Sequence, residues 1–531
     1  MKKLSFILVI IMATAFSACN KDDFSEDYAN PSKIADTNVE KQFAGFLVSN
    51  KDYVLPAYWN YFVAMRTTVT RHTQAVGWVN EDHQYVPGEA GAAARWGAFY
   101  GSLNQYREME KIYNALTVEE QERQRIFMLL GTMYLYDHLQ RTVDLFGDMP
   151  FSQAGRLSQN GGEYIVSLPT YDTAESIYTT MLDGLKGFAE ELNTLTIDPA
   201  ILAILKKQDF VNNGDIEKWK MYCNSLRLRM LTRVSGSSEF QARASSEIAA
   251  ILSNSGSFPV VDSNTGNIQI NVYDVSSAIH AKGFESGLES WDGNIAGKAM
   301  IDNMLANTDP RLRVMFELGA DAVGETYLGL DPLMNSNDQT TLVNDGTLSL
   351  WNTTTFSRND YFPGVLITAS EVQLIKAEAY LSTNDALAKE NYEEAIANSI
   401  NFFYDVRTLS NDASGQSTEL IDFVPLDPAE VTAYVASEAA KWDNATTDAE
   451  KMALIATQKW IHFSVVQLPD SWAEIRRTGL PSFSFLVDNS DVQTLPPDRW
   501  YYPNSEVANN ADIYATIRDQ DKLTNKLFWA K

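Results

Sequence analysis

An aromatic ring flanked by short amides and carboxylates suits a sugar, which offers apolar C–H faces to the ring and hydroxyl edges to the polar groups. Four places in the sequence provide that combination outside any clean helical period. They are Trp78-Val79-Asn80-Glu81-Asp82, then Tyr85, then Trp291-Asp292-Gly293-Asn294, and Trp351-Asn352. The candidate ligand-binding residues are therefore Trp78, Asn80, Tyr85, Trp291, Asp292, Asn294 and Trp351, with Trp78 and Trp291 foremost. Tyr and Asn would serve a peptide as readily as a glycan. Each of these rings could also simply pack its own loop or face a partner protein.

Other chemistry is harder to build from this chain. His72, His83, His138, His280 and His462 are too scattered to pair on a metal, and neither H-E-x-x-H nor C-x-x-C occurs. Asp262-x-Asn264-x-Gly266 hints at a calcium loop, but the glycine comes one place early and Tyr273 stands where an EF-hand needs Glu. No phosphate-binding or dinucleotide-binding glycine motif and no nucleophile elbow is present. No catalytic residue, metal or cofactor is expected. A paired-carboxylate glycosidase is the one enzyme class that motif search does not decide, since 69 acidic residues offer many pairs and only geometry selects one.

The elements that must position these residues read as helices. Thr368 and Glu371 have capping-box spacing; Val372, Ile375 and Ala379 then share one face, and Leu374, Ala377 and Leu381 another. After the turn at 382–385, Tyr392, Ile396, Ser399 and Phe403 mark a second helix. Alanines facing bulky aromatics are the logic of a tetratricopeptide-like hairpin. Further helices are expected from about Val39, from Trp96, over 119–146, 171–192, 215–234, 300–316 (broken at Asp309-Pro310) and 451–468. Trp96 reads as core within its helix. Residues 72–90 read as a loop, and 256–296 and 320–366 as loop-rich insertions, where binding groups tend to sit. The expected class is mainly α, with helical hairpins and insertions carrying little β structure.

The N-terminus suggests a compartment. Lys2 and Lys3 precede an apolar run from Leu4 to Phe16, and the small residues Ser17 and Ala18 precede Cys19. This resembles a bacterial lipoprotein signal, with residues 1–18 removed and Cys19 acylated. An ordinary signal peptide ending near Ala18 is the alternative. Residues 19–40 then read as a polar tether, and 41–531 as one helical domain with the two insertions. The chain has 42 basic against 69 acidic residues, a net charge of −27, which makes nucleic acid and anionic membrane poor partners. Cys19 and Cys223 are the only cysteines; once Cys19 is lipidated, no internal disulfide is possible.

Seven stretches in order resemble the SusD/RagB family, in its SusD-like branch: the lipoprotein start, LFGDMPFSQA, WKMYCNSLRLRMLTRVS, NTDPRLRVMF, SEVQLIKAEAY, DSWAEIRRTGLP and RWYYPNSEVANN. The resemblance implies a cell-surface lipoprotein of Bacteroidetes, anchored in the outer membrane by its lipid. It also implies a SusC-type TonB-dependent transporter as partner, oligosaccharide or (in the RagB group) peptide as ligand, and no enzymatic activity. No binding-residue motif of the family recurs at matched positions, so no site residue is carried over. The motifs themselves read as structural. Trp472 and Arg476 can stack, Gly479 and Pro481 end that helix, and Asn303, Asp309 and Arg311 make a turn. Buried Arg477 and Arg499 would need carboxylates, with Glu371, Glu378, Glu474 and Glu506 as candidates. Two rivals stand beside this reading. One is a secreted all-helical glycoside hydrolase, the other a surface scaffold that binds only proteins.

Overall fold

The structure is a computed structural model that describes residues 37–66, 68–412, 424–490 and 492–531. The leader, Cys19 and the tether up to residue 36 lie outside the described residues. Helix α1 (Val39–Asn50) takes up the end of the expected tether; it starts on Asn38, whose side chain accepts from the Lys41 N–H. A seven-residue π-helix (Trp59–Met65) follows. Next come α2 (Glu89–Asn114), α3 (Val118–Phe146), α4 (Ala174–Leu192), α5 (Ile216–Val234), α6 (Gln241–Ser253) and the short α7 (Gly283–Leu288). The hairpin is formed by α8 (Ala369–Tyr380) and α9 (Asp385–Thr408), followed by α10 (Asp448–Phe463), α11 (Leu468–Thr478) and α12 (Asn504–Asn509), with shorter helices between these. Among the described residues no helix is long and apolar enough to cross a membrane.

The fold is mainly α and tetratricopeptide-like. In the α8–α9 pair, Val372, Leu374, Ile375 and Ala377 meet Tyr392, Ile396, Ser399 and Phe403, all buried. The start of α8 differs from a full capping box. Thr368 Oγ1 accepts from the Glu371 N–H at 3.2 Å, but the Glu371 carboxylate turns inward to Arg229 Nε at 2.5 Å. A buried guanidinium outbids a backbone amide for that carboxylate, because only an ionised partner offsets its desolvation.

Arg229 belongs to a chain of buried charges that ties five helices together. Arg141 on α3 reaches Asp470 at 3.2 Å, and Arg233 on α5 reaches Glu474 at 2.9 Å. Lys459 on α10 reaches the same Glu474 at 2.8 Å, and Arg477 bridges Glu474 and Glu378, each at 2.7 Å. Burial alone would raise the Glu474 carboxyl; Arg477, Lys459 and Arg233 outweigh it and hold it well below the usual range. Arg499 finds Asp521 at 3.4 Å, a partner outside the expected set. Arg476 lies 3.7 Å from the Trp472 ring centroid, the stacking that the i,i+4 spacing predicts.

Three of the four strands lie in or at the edge of the two loop-rich stretches, and the fourth, Phe316–Glu317, ends the expected 300–316 helix. β1 (Ile268–Ile270) pairs antiparallel with β4 (Gly364–Ile367), setting Ile268 opposite Ile367. β2 (Phe316–Glu317) pairs with β3 (Leu350–Trp351), setting Phe316 opposite Trp351. The first pair joins the two loop-rich stretches and the second ties one of them to the segment before it, so the loops are paired into the fold rather than free excursions.

Candidate functional site

Among the described residues, an exposed aromatic grouping lies where the π-helix meets the 290–293 turn. In the π-helix, Tyr61, Ala64 and Met65 face the core, and the Tyr61 hydroxyl donates to the Val465 carbonyl at 2.8 Å. The opposite side displays Tyr58, Trp59 and Phe62. Tyr58 and Phe62 stack at 5.0 Å and 14°, and Trp59 stands edge-on to Tyr58 at 5.9 Å. Trp291 meets Phe62 at 6.4 Å and 70°. Trp59 is 65% exposed and Trp291 83% exposed. Indoles held this far out of the core have surrendered most of the burial that stabilises them, which marks a surface kept for a partner or ligand.

Two devices hold this ledge in place. Trp291 and Asp292 both adopt left-handed backbone (φ 57° and 54°), which costs a non-glycine residue about 1–2 kcal/mol. The Arg66 guanidinium secures the turn by donating to the carbonyls of Ser290 and Trp291, while lying 5.0 Å over the Phe62 ring. Burial, with Arg71 nearby, lowers the pKa of Arg66 from its ordinary value. Glycines let the neighbouring helices close on the π-helix. A Cβ at Gly91 of α2 would stand 2.8 Å from the Val63 carbonyl, and one at Gly287 of α7 would stand 3.1 Å from the Ala57 carbonyl. A π-turn is a local insertion often found at functional sites.

Of the residues proposed from sequence, Trp291 and Asp292 lie on this ledge, both exposed. The others do not join them at the surface. Trp78 is buried with Nε1 donating to Gln84 Oε1 at 2.9 Å, under the Arg71 guanidinium. Asn80 is buried and ties down a distant loop, its Nδ2 donating to the carbonyls of Pro332 and Met334 at 2.9 and 2.8 Å. Tyr85 donates to the Leu486 carbonyl at 2.7 Å. Trp351 is wholly buried against Phe316 and Phe356, with Nε1 donating to the Ala75 carbonyl at 3.0 Å. Asn294 is buried, and its carbonyl accepts from the Trp351 N–H at 2.7 Å. Trp78, Asn80, Tyr85, Asn294 and Trp351 are thus buried in the packed loops, where the Trp78, Tyr85 and Trp351 polar atoms are engaged and Asn80 Oδ1 has no partner among the described residues. Tyr58, Trp59, Phe62 and Arg66 escaped the sequence reading. Their signal was the aromatic run 58–62.

Among the described residues no cluster of His, Cys, Asp and Glu could hold a metal ion. The ledge has the parts of a sugar platform: flat rings for C–H faces, with the Arg66 guanidinium and the Asp292 carboxylate beside them for hydroxyls. Several solved structures share the fold. A chitin-binding protein matches with a TM-score of 0.72 at 22% identity, covering 92% of this chain and 99% of its own. A SusD homologue from Bacteroides fragilis matches with a TM-score of 0.68 at 20% identity, covering 93% and 99%. Another from Parabacteroides distasonis gives 0.70 at 18%, covering 93% and 98%. None of the curated proteins matches the chain. The SusD-like family, described as starch-binding and associating with the outer membrane, matches over residues 37–503, and the chain belongs to that family.

Proposed function

We propose that the protein is an outer-membrane lipoprotein, anchored through Cys19, that captures an oligosaccharide on the aromatic ledge. It would pass that ligand to a SusC-type TonB-dependent transporter without altering it chemically. Residues 41–531 would form the binding body. The observation that carries the reading is the ledge itself, in which Tyr58, Trp59, Phe62 and Trp291 meet at the surface beside Arg66. Family membership and the chitin-binding neighbour support a glycan over a peptide.

The test is a pull-down of the lipidated protein from native outer membranes, with its co-purifying proteins and retained small molecules identified. A stoichiometric TonB-dependent barrel with bound oligosaccharide is expected. A retained peptide would move the ligand class to that of the RagB group. Absence of any barrel from intact, surface-located protein would sink the transporter role, and turnover of a polysaccharide would sink the non-enzymatic one.

A further inference from the structure

A second concavity shares no residue with the ledge. It holds about 370 Å³ between α2, the 150–169 loop and α12, with Trp96, Tyr100, Pro150, Leu157, Leu168 and Pro169 among its walls. Of the residues lining it, Glu506 alone is charged. Its Oε1 accepts from the Tyr171 hydroxyl at 2.8 Å and from Asn510 Nδ2 at 2.9 Å, which fixes the carboxylate in one orientation. Among the described residues Oε2 makes no hydrogen bond.

Asn510 also lines the pocket and is 8% exposed. Its Nδ2 points at two acceptors, Glu506 and the Pro169 carbonyl, so the amide has one sensible orientation; that leaves Oδ1 buried without a partner. Two strong donors on this side of α2 are already engaged. The Tyr100 hydroxyl donates to the Pro150 carbonyl at 2.6 Å, and the Arg107 guanidinium serves the carbonyls of Phe151 and Ala154 and the Glu110 carboxylate. The pocket thus presents two acceptors, Glu506 Oε2 and Asn510 Oδ1, among mostly apolar walls, with Ser167, Ser505 and Asn509 as the other polar residues lining it. At its mouth Tyr164, Ile165 and Val166 stand 61, 82 and 71% exposed, an uncovered apolar rim.

We propose that this pocket binds a primary ammonium carried on a short apolar stem, with Glu506 Oε2 as its counter-ion. The apolar walls take the stem and lower the local dielectric, which strengthens the ion pair over one in open water. The protein's net charge of −27 favours cationic ligands at the encounter stage. Two sources share this chemistry: a free alkylamine and the lysyl side chain of a partner.

The test is an NMR titration of the full chain with hexylammonium and with hexan-1-ol, its neutral counterpart. Hexylammonium should bind saturably and at least tenfold more tightly than the alcohol. Glu506→Gln keeps an acceptor for Tyr171 and Asn510 but removes the charge, and should bring the two affinities together. Ser505→Trp, an exposed position on the rim, should abolish both. Trp291→Ala should change neither, which separates this site from the ledge. Acetyl-Gly-Lys-Gly-amide decides the source: binding that needs Glu506 assigns a lysyl side chain, and exclusion assigns a free amine. Equal affinity for the ammonium and the alcohol, or an ammonium affinity untouched by Glu506→Gln, would overturn the proposal. If Glu506→Gln fails to fold, hexylammonium binding that survives Ser505→Trp overturns it instead.

Discussion

At the scale of single residues, exposure separates tryptophans that can recognise a ligand from those that hold the fold. Trp59→Ala and Trp291→Ala should leave stability within about 0.5 kcal/mol of the parent, since neither ring fills the core. Each should weaken oligosaccharide binding tenfold or more, about 1.4 kcal/mol. Trp351→Ala should do the reverse, costing about 3–5 kcal/mol of stability through the cavity it leaves. Denaturant midpoints and calorimetric titrations on the three variants settle this; a Trp291→Ala protein that binds normally would remove the ledge from the site. The tryptophan count was legible in the sequence, but its sorting was not. Trp78 and Trp351 lie in stretches with no helical period, as exposed binding loops do. Trp351 is engaged from far along the chain, by the Ala75 carbonyl 276 residues away, whereas Trp78 is held within its own loop by Gln84 and Arg71, at spacings that follow no regular period. By contrast, the Trp472–Arg476 stack lay within one helical turn and was legible.

At the scale of elements, the π-helix and its N-cap Tyr58 present three of the four ledge rings. The buried Tyr61, Ala64 and Met65 and the outward Tyr58, Trp59 and Phe62 fall on opposite faces even at ordinary 3.6-residue spacing. Four ledge residues were missed because a ring kept at the surface carries no mark in the sequence that separates it from a core ring, and because the carbonyls that hold Arg66 lie 224 and 225 residues away, whereas α5, α8 and α9 were placed to within a few residues. The π-helix is held from behind by α2, whose Gly91 comes too close to it for a Cβ. Gly91→Ala should push on the Val63 carbonyl and cost about 1–3 kcal/mol. It should also weaken ligand binding without touching any ledge side chain. A variant of full stability and full affinity would show that this close approach is not needed.

At the scale of the whole molecule, neutral histidines buried in three places make the fold acid-sensitive. Burial pushes His72 and His462 down to about 3 and His138 well below its ordinary value. Among the described residues His72 has no hydrogen-bond partner at either ring nitrogen, while His462 lies between Thr368 and Ser399. Below a pH of about 6.5 the unfolded chain takes up protons at these sites and the native protein does not. Stability therefore falls with pH, by up to about 1.4 kcal/mol per pH unit for each histidine, from about 6.5 towards 3. Glu474, Glu378 and Asp470, all held low by their cations, add their own losses only below the usual carboxylate range. Urea midpoints between pH 7.5 and 5.5 should show the histidine slope; a flat profile there would refute it.

The buried chain of charges also sets an order of events during synthesis. Arg141, Arg229 and Arg233 are made early, while Asp470 and Glu474, their shared counter-ions, come more than 230 residues after the last of them. Before α11 is made, Arg141 and Arg229 have Asp137, Arg233 has Asp144 and Arg229 later gains Glu371, but the carboxylates of α11 that complete their neutralisation are missing, and an under-compensated buried charge is disfavoured. The core is therefore expected to lock only once α11 exists. A nascent form truncated before Asp470 would stay loose and protease-sensitive, whereas one extended past Arg477 could snap shut in a single cooperative step.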